Sequence, residues 1–283
     1  EVLGVGLGNI EVEDKEVLKQ RVETWRASWE RRRLEKEAQG EAEAIRLIED
    51  ARADAQRFRE TYDAIHTEVS RMMVGQNDVI EGVLTALMAG GQVLLEGVPG
   101  LGKTMLVSSL GKAVDLTFSR IQFTPDLMPA DILGSEVLDT TEDGTRAFRF
   151  LPGPVFCQLL MADEINRASP RTQSALLQAM QEKTVTVAGE DRPLGNPFHV
   201  LATQNPIEQE GTYPLPEAQL DRFLVQIDVL YPDRKTERDI LIATTGVAED
   251  DAVQVFTSDE LLAAQVLLRR MPVGDSVVEM ILD

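Results

Sequence analysis

At positions 97–104 the chain reads Gly97-Val98-Pro99-Gly100-Leu101-Gly102-Lys103-Thr104. A short apolar run at 93–95 comes before these residues, and Met105-Leu106-Val107 follows them. The pattern predicts a strand, a glycine-rich loop and then a helix, which is the setting that a phosphate-binding loop needs. Glycines allow successive backbone N–H groups to point at phosphate oxygens, with the positive end of the helix behind them.

The same residues predict a nucleotide site that includes Mg²⁺. Lys103 would reach the β- and γ-phosphates, and the Thr104 hydroxyl would ligate the metal ion. A chance glycine-rich turn is the alternative, but every fixed position of the motif and both flanks fit the loop. The predicted nucleotide-binding residues are Gly97, Val98, Pro99, Gly100, Leu101, Gly102, Lys103, Thr104 and Met105.

The composition limits the partners that the protein can have. Its 283 residues include 48 acidic and 28 basic side chains, for a formal net charge of −20. This balance argues against a nucleic acid partner, because a phosphate backbone needs clustered Lys and Arg. Cys157 is the only cysteine, which leaves no disulfide framework and fits a cytoplasmic protein. The sequence has no apolar run of about 18 residues and no signal peptide, and its start at Glu1 indicates a fragment.

Further apolar runs follow the glycine loop at 121–123, 159–162, 198–203 and 223–229, with helix-length segments between them. This alternation predicts an α/β fold in which a mostly parallel sheet has helices on both faces. Two hairpin insertions are also expected. One spans 135–150 with its turn at Gly144, and the other spans 184–197 with its turn at Gly189.

The apolar run at 159–162 ends in two acids, Asp163 and Glu164. At the carboxyl end of a buried strand, Asp163 can hold a water of the Mg²⁺ ion, and Glu164 can deprotonate the attacking water. An ordinary Asp-Glu pair at a strand end is the alternative. Their position downstream of a phosphate-binding loop favours the catalytic interpretation.

Two more polar residues complete the predicted site. Asn205 ends the next apolar run and could hydrogen-bond the γ-phosphate or the attacking water, although Asn before Pro206 is also a turn signal. Arg222 precedes the last run and is a candidate arginine finger that reaches the γ-phosphate of a neighbouring subunit. An ion pair of Arg222 with Asp221 or Glu217 is the alternative.

Residues 15 to about 60 are rich in Glu, Arg and Ala and contain no proline. The side chains of Leu18, Val22, Trp25 and Trp29 fall on one stripe of a helix. We therefore expect a long helix that requires a partner helix, as in a coiled coil. A solvated helix that packs on its own domain is the alternative.

The N-terminal segment 1–57 resembles the end of the stomatin/prohibitin/flotillin (SPFH) scaffold domain and the helix that follows it. The resemblance rests on Gly8-Asn9-Ile10-Glu11-Val12 and on Gly40-Glu41-Ala42-Glu43-Ala44. It implies association with the cytoplasmic face of a membrane through an upstream region.

The rest of the chain resembles the MoxR family of AAA+ ATPases. The motifs are GVPGLGKT at 97–104, MADEINRASPRTQSALLQAMQE at 161–182, ATQNP at 202–206 and LPEAQLDRF at 215–223. The resemblance implies a P-loop NTPase fold, a three-layer α/β/α sandwich with five core strands in the order 5-1-4-3-2. The ATPase core would span 58–231, and a helical lid, truncated at Asp283, would span 232–283.

The resemblance also implies activity and partners. It predicts hydrolysis of ATP with Mg²⁺ by a hexameric ring in which Arg222 acts across the subunit interface and Asn205 is the sensor 1 residue. Chaperone-like remodelling of protein clients is expected, with partners that carry von Willebrand factor A domains. Both hairpins would line the pore that faces the client. The lid should carry a sensor 2 arginine, but Arg269 and Arg270 come too early in the pattern to be assigned that role.

Two alternative functions stay open at this point. One is a motor subunit of the magnesium-chelatase type, whose core motifs are nearly the same. The other is a non-hydrolysing SPFH-like scaffold that only binds ATP, although such a protein would need none of Glu164, Asn205 and Arg222. An ABC-type ATPase and a GTPase are disfavoured, because the sequence lacks LSGGQ-like and NKxD-like motifs.

Overall fold

The computed structural model describes residues 15–140, 146–206, 211–244 and 251–282. The chain divides into two compact units, Glu1–Arg57 and Phe58–Asp283. The segment Gly8–Val12, on which part of the SPFH resemblance rests, lies outside the described residues, as does the predicted hairpin turn at Gly144.

The strands are β1 (Val93–Glu96), β2 (Phe118–Gln122), β3 (Gly134–Thr140), β4 (Arg146–Pro152), β5 (Leu159–Asp163), β6 (Thr184–Val187), β7 (Glu190–Pro193), β8 (His199–Gln204) and β9 (Val225–Asp228). The helices are α1 (Lys15–Met72), α2 (Asn77–Ala89), α3 (Lys103–Ala113), α4 (Pro129–Leu133), α5 (Pro170–Glu182), α6 (Glu217–Leu220), α7 (Arg234–Thr244), α8 (Ser258–Arg270) and α9 (Asp275–Leu282).

The first unit contains most of helix α1, which confirms the expected long helix. Its apolar stripe is exposed, and the rings of Trp25 and Trp29 contact each other with their centroids 6.2 Å apart. Ion pairs such as Arg31–Glu35 join successive turns; at the surface each contributes at most about 0.5 kcal/mol. The partner helix and the SPFH resemblance stay predictions. In the described ranges no helix is both long and apolar enough to cross a membrane.

The second unit is organised around a five-stranded parallel sheet in the order β2-β5-β8-β1-β9. If these five strands alone are numbered along the chain, the order is 5-1-4-3-2, which confirms the expected topology. Strand β2 begins at Phe118, three residues before the apolar run that predicted it. On this edge strand only Ile121 is buried. The residues before it do not form an apolar run, so the sequence pattern did not indicate where the strand begins.

Successive residues of the sheet face opposite layers, as strand geometry requires. Val93 and Leu95 pack with α2, α3, α8 and the end of α1, whereas Leu94 packs with α4 and α5. Burial of each such side chain contributes about 1.5–3 kcal/mol. The predicted three-layer α/β/α sandwich is confirmed.

Two antiparallel hairpins extend from this core and confirm both predicted insertions. Strand β3 pairs with β4, and β6 pairs with β7. Gly189 makes the second turn with φ 83°, in the left-handed region that glycine adopts without strain. Arg192 of β7 lies 4.0 Å from the Phe150 ring of β4 and also forms ion pairs with Glu190 and Glu136.

Helix α8 packs on α2 at the amino edge of the sheet, where the parallel strands begin. Gln265 of α8 donates to Leu87 O at 2.8 Å, and the amides of Val255 and Phe256 donate to Ala113 O at the end of α3. Arg269 lies beside Gly90, just before β1. This segment therefore lies at the opposite end of β1 from the glycine loop. A separate lid domain over 232–283 stays a prediction.

Candidate functional site

The glycine loop joins the carboxyl end of β1 to the start of α3, as predicted. Gly100 and Gly102 have φ angles of 87° and 79°, and such positive values favour glycine. At Gly97 a Cβ atom would lie 2.6 Å from Val229 O, so any side chain there would clash with backbone. The first intrahelical bond runs from Leu106 N to Gly102 O. The first amides of α3 therefore have no intrahelical acceptor and remain for an anion.

Lys103 begins α3 and is half-buried. Its ammonium donates to Gly97 O, which folds the side chain back over the loop. Burial lowers the pKa of Lys103, and the charges of Asp163 and Glu164 oppose that shift. The cation thus lies in the field of both acids, in the loop that would hold phosphates.

Asp163 ends β5 and is buried. Its Oδ1 accepts from the Thr203 hydroxyl at 2.6 Å, and its Oδ2 pairs with the Arg120 guanidinium at 2.5 Å. Sequence reasoning missed both partners. They come from the two strands that flank β5, so identifying them requires the register of these strands as well as their order.

Glu164 follows with φ 57° and ψ 49°, a left-handed conformation that costs a non-glycine residue about 1–2 kcal/mol. Its Oε2 accepts from Gln122 Nε2 at 2.6 Å and lies 3.2 Å from Arg167 Nε. Its backbone N–H donates to Thr203 Oγ1 at 2.8 Å. These three contacts hold the turn in its strained conformation. A strained backbone that its surroundings maintain indicates a functional use.

Asn205 follows β8 and is buried. Its carbonyl accepts from Asn166 Nδ2 at 3.3 Å, which links it to the turn after Glu164. In the described part of the chain, Asn166 Oδ1 and Gln204 Oε1 are buried without a hydrogen-bond partner. Such atoms are costly unless a ligand or water completes them.

Strands β1, β8 and β5 are adjacent, and their carboxyl ends lie at one edge of the sheet. The structure thus brings together the loop with Lys103 and Thr104, the amide of Asn205, and the acids Asp163 and Glu164. Thr104, in the first turn of α3, and Asp163 offer a hydroxyl and a carboxylate, the oxygen ligands that Mg²⁺ prefers. Within the described ranges, no cluster of three or more His, Cys, Asp and Glu side chains could hold a metal ion.

Arg222 does not join this group. It lies in the turn between α6 and β9, where Leu224 N donates to Gln92 O just before β1. This places Arg222 at the amino edge, at the other end of a four-residue strand from the loop of the same chain; that strand spans about 13 Å. Its side chain is exposed, and among the described residues it forms no ion pair with Asp221 or Glu217.

Two further buried side chains, Cys157 and His199, are structural. Cys157 is buried, and burial raises the pKa of its thiol to about 12, so it is an unreactive core residue. His199 is also buried, and its Nδ1 lies 3.1 Å from Gly91 O. The carbonyl can only accept, so Nδ1 carries the proton and Nε2 accepts from Gln265 Nε2 at 3.0 Å.

Known proteins show the same core. Residues 92–225 match the profile of the ATPase family associated with various cellular activities (AAA). The chain is 45% identical over 216 residues to the uncharacterized protein YeaC of Bacillus subtilis, covering 76% of this chain and 67% of YeaC. It is 48% identical over 212 residues to the chaperone MoxR1 of Mycobacterium tuberculosis, covering 75% of this chain and 55% of MoxR1.

A crystal structure of a candidate ATPase from Cytophaga hutchinsonii superposes with a TM-score of 0.74 at 40% identity, covering 83% of this chain and 71% of that one. The chain spans little more than half the length of MoxR1 and of the MoxR protein of Methylorubrum extorquens, at 55% and 54%. The motifs predicted from the sequence, the strand order and these similarities agree. The chain belongs to the MoxR family of AAA+ ATPases.

Proposed function

We propose that this chain hydrolyses ATP with Mg²⁺ and that residues at the carboxyl edge of its sheet carry the reaction. The main support is the convergence of the glycine loop, the acids Asp163 and Glu164, and Asn205 on that edge. A protein that only bound nucleotide would need the loop, but neither a second acid nor a buried amide beside it.

The loop and the start of α3 would bind the phosphates. Backbone amides contact the phosphate oxygens, and Lys103 exchanges its bond to Gly97 O for the β- and γ-phosphates. Thr104 and Asp163 would hold Mg²⁺. When bound, Mg²⁺ neutralises negative charge on the phosphate oxygens.

Glu164 would accept a proton from the attacking water while the water oxygen bonds to the γ-phosphorus and the bond to ADP breaks. In the structure its Oε2 is occupied by Gln122 and Arg167. Activation of water therefore requires the carboxylate to leave at least one of these donors. Asn205 would orient the water or the γ-phosphate.

The position of Arg222 supports a ring. Its exposed guanidinium lies at the amino edge and therefore far from the loop of its own chain. In a closed hexamer the amino edge of one subunit can face the carboxyl edge of the next, so that Arg222 stabilises charge on the neighbour's γ-phosphate.

We assign the two hairpins to a protein client. Leu138 and Phe148 lie directly opposite each other in the β3–β4 register, with 54% and 71% of their surface exposed. Apolar side chains exposed on a protruding hairpin favour contact with an unfolded or loosely folded segment. A relative is named as a chaperone, which supports remodelling of clients, and a partner with a von Willebrand factor A domain remains part of the proposal.

The decisive experiment measures ATP turnover against protein concentration, with light scattering for mass on the same samples. We expect specific activity to rise steeply as a ring-sized species appears, because each site needs Arg222 from a neighbour. ATP binding with no turnover at any concentration would contradict hydrolysis. Full turnover by a monomer would contradict the shared site.

A further inference from the structure

Thr203 lies at the centre of the contacts that hold the two acids. It is the fifth residue of β8 and has no exposed surface. Ala202 before it pairs with Ala162 of β5, so Thr203 lies beside Asp163 across the parallel ladder. Its side chain is therefore not accessible from the carboxyl edge in this structure.

The chemistry of its hydroxyl fixes the direction of both hydrogen bonds. The Glu164 N–H can only donate, so Thr203 Oγ1 accepts this bond at 2.8 Å. The single hydroxyl proton then goes to Asp163 Oδ1 at 2.6 Å. This short contact is typical of a bond to an ionised carboxylate. One hydroxyl thus bonds to the carboxylate of Asp163 and to the backbone N–H of Glu164.

The bond from the Thr203 hydroxyl limits rotation of the Asp163 carboxylate. Thr203 holds Oδ1, and Arg120, on the opposite neighbouring strand, holds Oδ2. Two partners on opposite sides determine the plane of the carboxylate, and hence the direction of its remaining lone pairs. Arg120 is partly exposed whereas Thr203 is not, so the hydroxyl is the more rigid of the two supports.

The bond from the Glu164 N–H to Thr203 holds the backbone of Glu164. That residue has φ 57°, a conformation that is unfavourable for a side chain-bearing residue and needs support from its surroundings. The bond from its amide to Thr203 supplies such support. Because backbone direction determines where the side chain points, the same hydroxyl sets the starting position of the Glu164 carboxylate.

We propose that Thr203 is a positioning residue. Through one hydroxyl it orients both Asp163, which would hold a water of the Mg²⁺ ion, and Glu164, which would act as the base. This inference rests on the proposed ATPase function. Thr203 acts through the two acids and touches neither nucleotide nor metal. Groups that orient a metal ligand typically change metal affinity or activity by about 10–100-fold when removed.

The test compares Thr203→Val, which keeps the shape and loses the hydroxyl, with Thr203→Ser, which keeps the hydroxyl. Mn²⁺ serves as a probe of the metal site, and its affinity in the presence of ADP is measured by electron paramagnetic resonance. ATP turnover, KM and thermal unfolding are measured on the same samples. We expect Thr203→Val to weaken Mn²⁺ binding and lower kcat by about 10-fold or more each, with metal-free ADP affinity within about twofold of the wild type. Thr203→Ser should restore both.

Several outcomes would overturn the inference. One such outcome is a Thr203→Val variant with the Mn²⁺ affinity and kcat of the wild type. Another is a Thr203→Ser variant that is as impaired as Thr203→Val, because loss of methyl packing would then explain the defect. Thr203→Ala is a second hydroxyl-free variant. If Val and Ala both fail to fold while Ser folds, the hydroxyl serves the fold and not the site. A wild-type protein without turnover would instead refute the proposed function, and this inference with it, whereas an active wild type matched by Thr203→Val refutes this inference alone.

Discussion

The two edges of the central sheet use their buried polar groups differently. At the amino edge, Gln92 pairs both of its amide atoms, with Phe198 O and with Val200 N–H. His199 pairs both ring nitrogens there. These side chains are satisfied from within the protein, so they contribute to the fold and leave nothing for a ligand.

The carboxyl edge is arranged in the opposite way. Among the described residues, Asn166 Oδ1 and Gln204 Oε1 are buried without a partner. Glu164 has a left-handed backbone, and Lys103 is desolvated beside two acids. Left-handed non-glycine residues also occur away from this edge, at Asp115, Lys183 and Ala188. The difference between the edges lies in their polar atoms: unlike Gln92 and His199, Asn166 and Gln204 have atoms that a ligand is expected to complete.

Arg222 is an exception at the amino edge. It lies at the amino edge, yet it is exposed, and three residues before it Gln219 Oε1 is another buried atom without a partner in the described part of the chain. An exposed cation at this edge is what the proposed contact with a neighbouring subunit requires.

The largest effect is expected for Arg222→Ala. Loss of a cation that stabilises transition-state charge should lower kcat by about 10³-fold or more, with ATP binding and unfolding temperature nearly unchanged because the side chain is exposed. Steady-state turnover and nucleotide titration would measure this. Arg269→Ala, an exposed arginine at the same edge, is the matched control and should retain turnover.

Mixing two inactive variants tests whether Arg222 acts across an interface. An Arg222→Ala subunit keeps its Lys103, and a Lys103→Ala subunit keeps its Arg222, so some mixed interfaces have both groups. Activity should therefore return on mixing. A mixture as inactive as its components would mean that Arg222 does not act across a subunit interface.

The next largest effect is expected at the carboxyl edge, for Glu164→Gln. The amide has the shape of the carboxylate but cannot accept the proton of water, so kcat should fall by about 10²-fold or more. ATP binding should persist, because Lys103 and the loop are intact. Single-turnover kinetics and a binding titration separate the two effects. Normal turnover in this variant would exclude Glu164 as the base.

Local patterns in the sequence predicted the α/β class and its strands, and the family resemblance supplied the order of the strands in the sheet. Glycine spacing between an apolar strand and a helix identified the loop, and four further apolar runs located the other parallel strands. The hairpins were predicted from turn residues such as Gly189. Each of these features depends on residues that are close together in the chain.

Contacts across strands could not be predicted in the same way. Arg120, Gln122 and Thr203 reach the two acids only because β2 and β8 flank β5 in a particular register. Nothing local distinguishes them from other polar strand residues. The position of α8 at the amino edge was likewise missed, since helical periodicity does not determine which surface a helix packs on.

The buried imidazole of His199 at the amino edge should make the stability of the protein depend on pH. Burial, with a smaller effect from the charge of Lys183, lowers the pKa of His199 from 6.5 to about 4, against a hydrogen bond to Gly91 O that raises it. The unfolded chain therefore binds a proton at a higher pH than the folded chain does. The contribution of neutral His199 to stability is therefore complete above pH 6.5 and is lost as the pH falls toward 4. By about pH 5 the free energy of unfolding should be lower by about 2 kcal/mol.

Urea unfolding between about pH 8 and about pH 5 measures this loss above the range where most carboxylates titrate. The chain has two histidines, which provides a matched control. His66→Gln should keep the pH dependence, and His199→Gln should remove most of it while lowering stability overall. If the free energy of unfolding of His199→Gln depended on pH as strongly as that of the wild type, a buried neutral imidazole would not be the cause of the pH dependence.

Arg192 serves as a control for the comparison of the two edges. In the described residues its Nε is also buried without a partner, but it lies in a hairpin, away from the nucleotide site. Its guanidinium stacks on Phe150 and pairs with Glu190, so the two hairpins are joined through one side chain. A double-mutant cycle of Arg192→Gln and Phe150→Leu should give a coupling energy of about 1 kcal/mol in urea unfolding. Basal ATP turnover should change less than about twofold, since an unpaired atom outside the carboxyl edge affects stability alone. A loss of basal turnover as large as that of Glu164→Gln would show that unpaired polar atoms do not distinguish the two edges, and that the hairpins take part in the reaction itself.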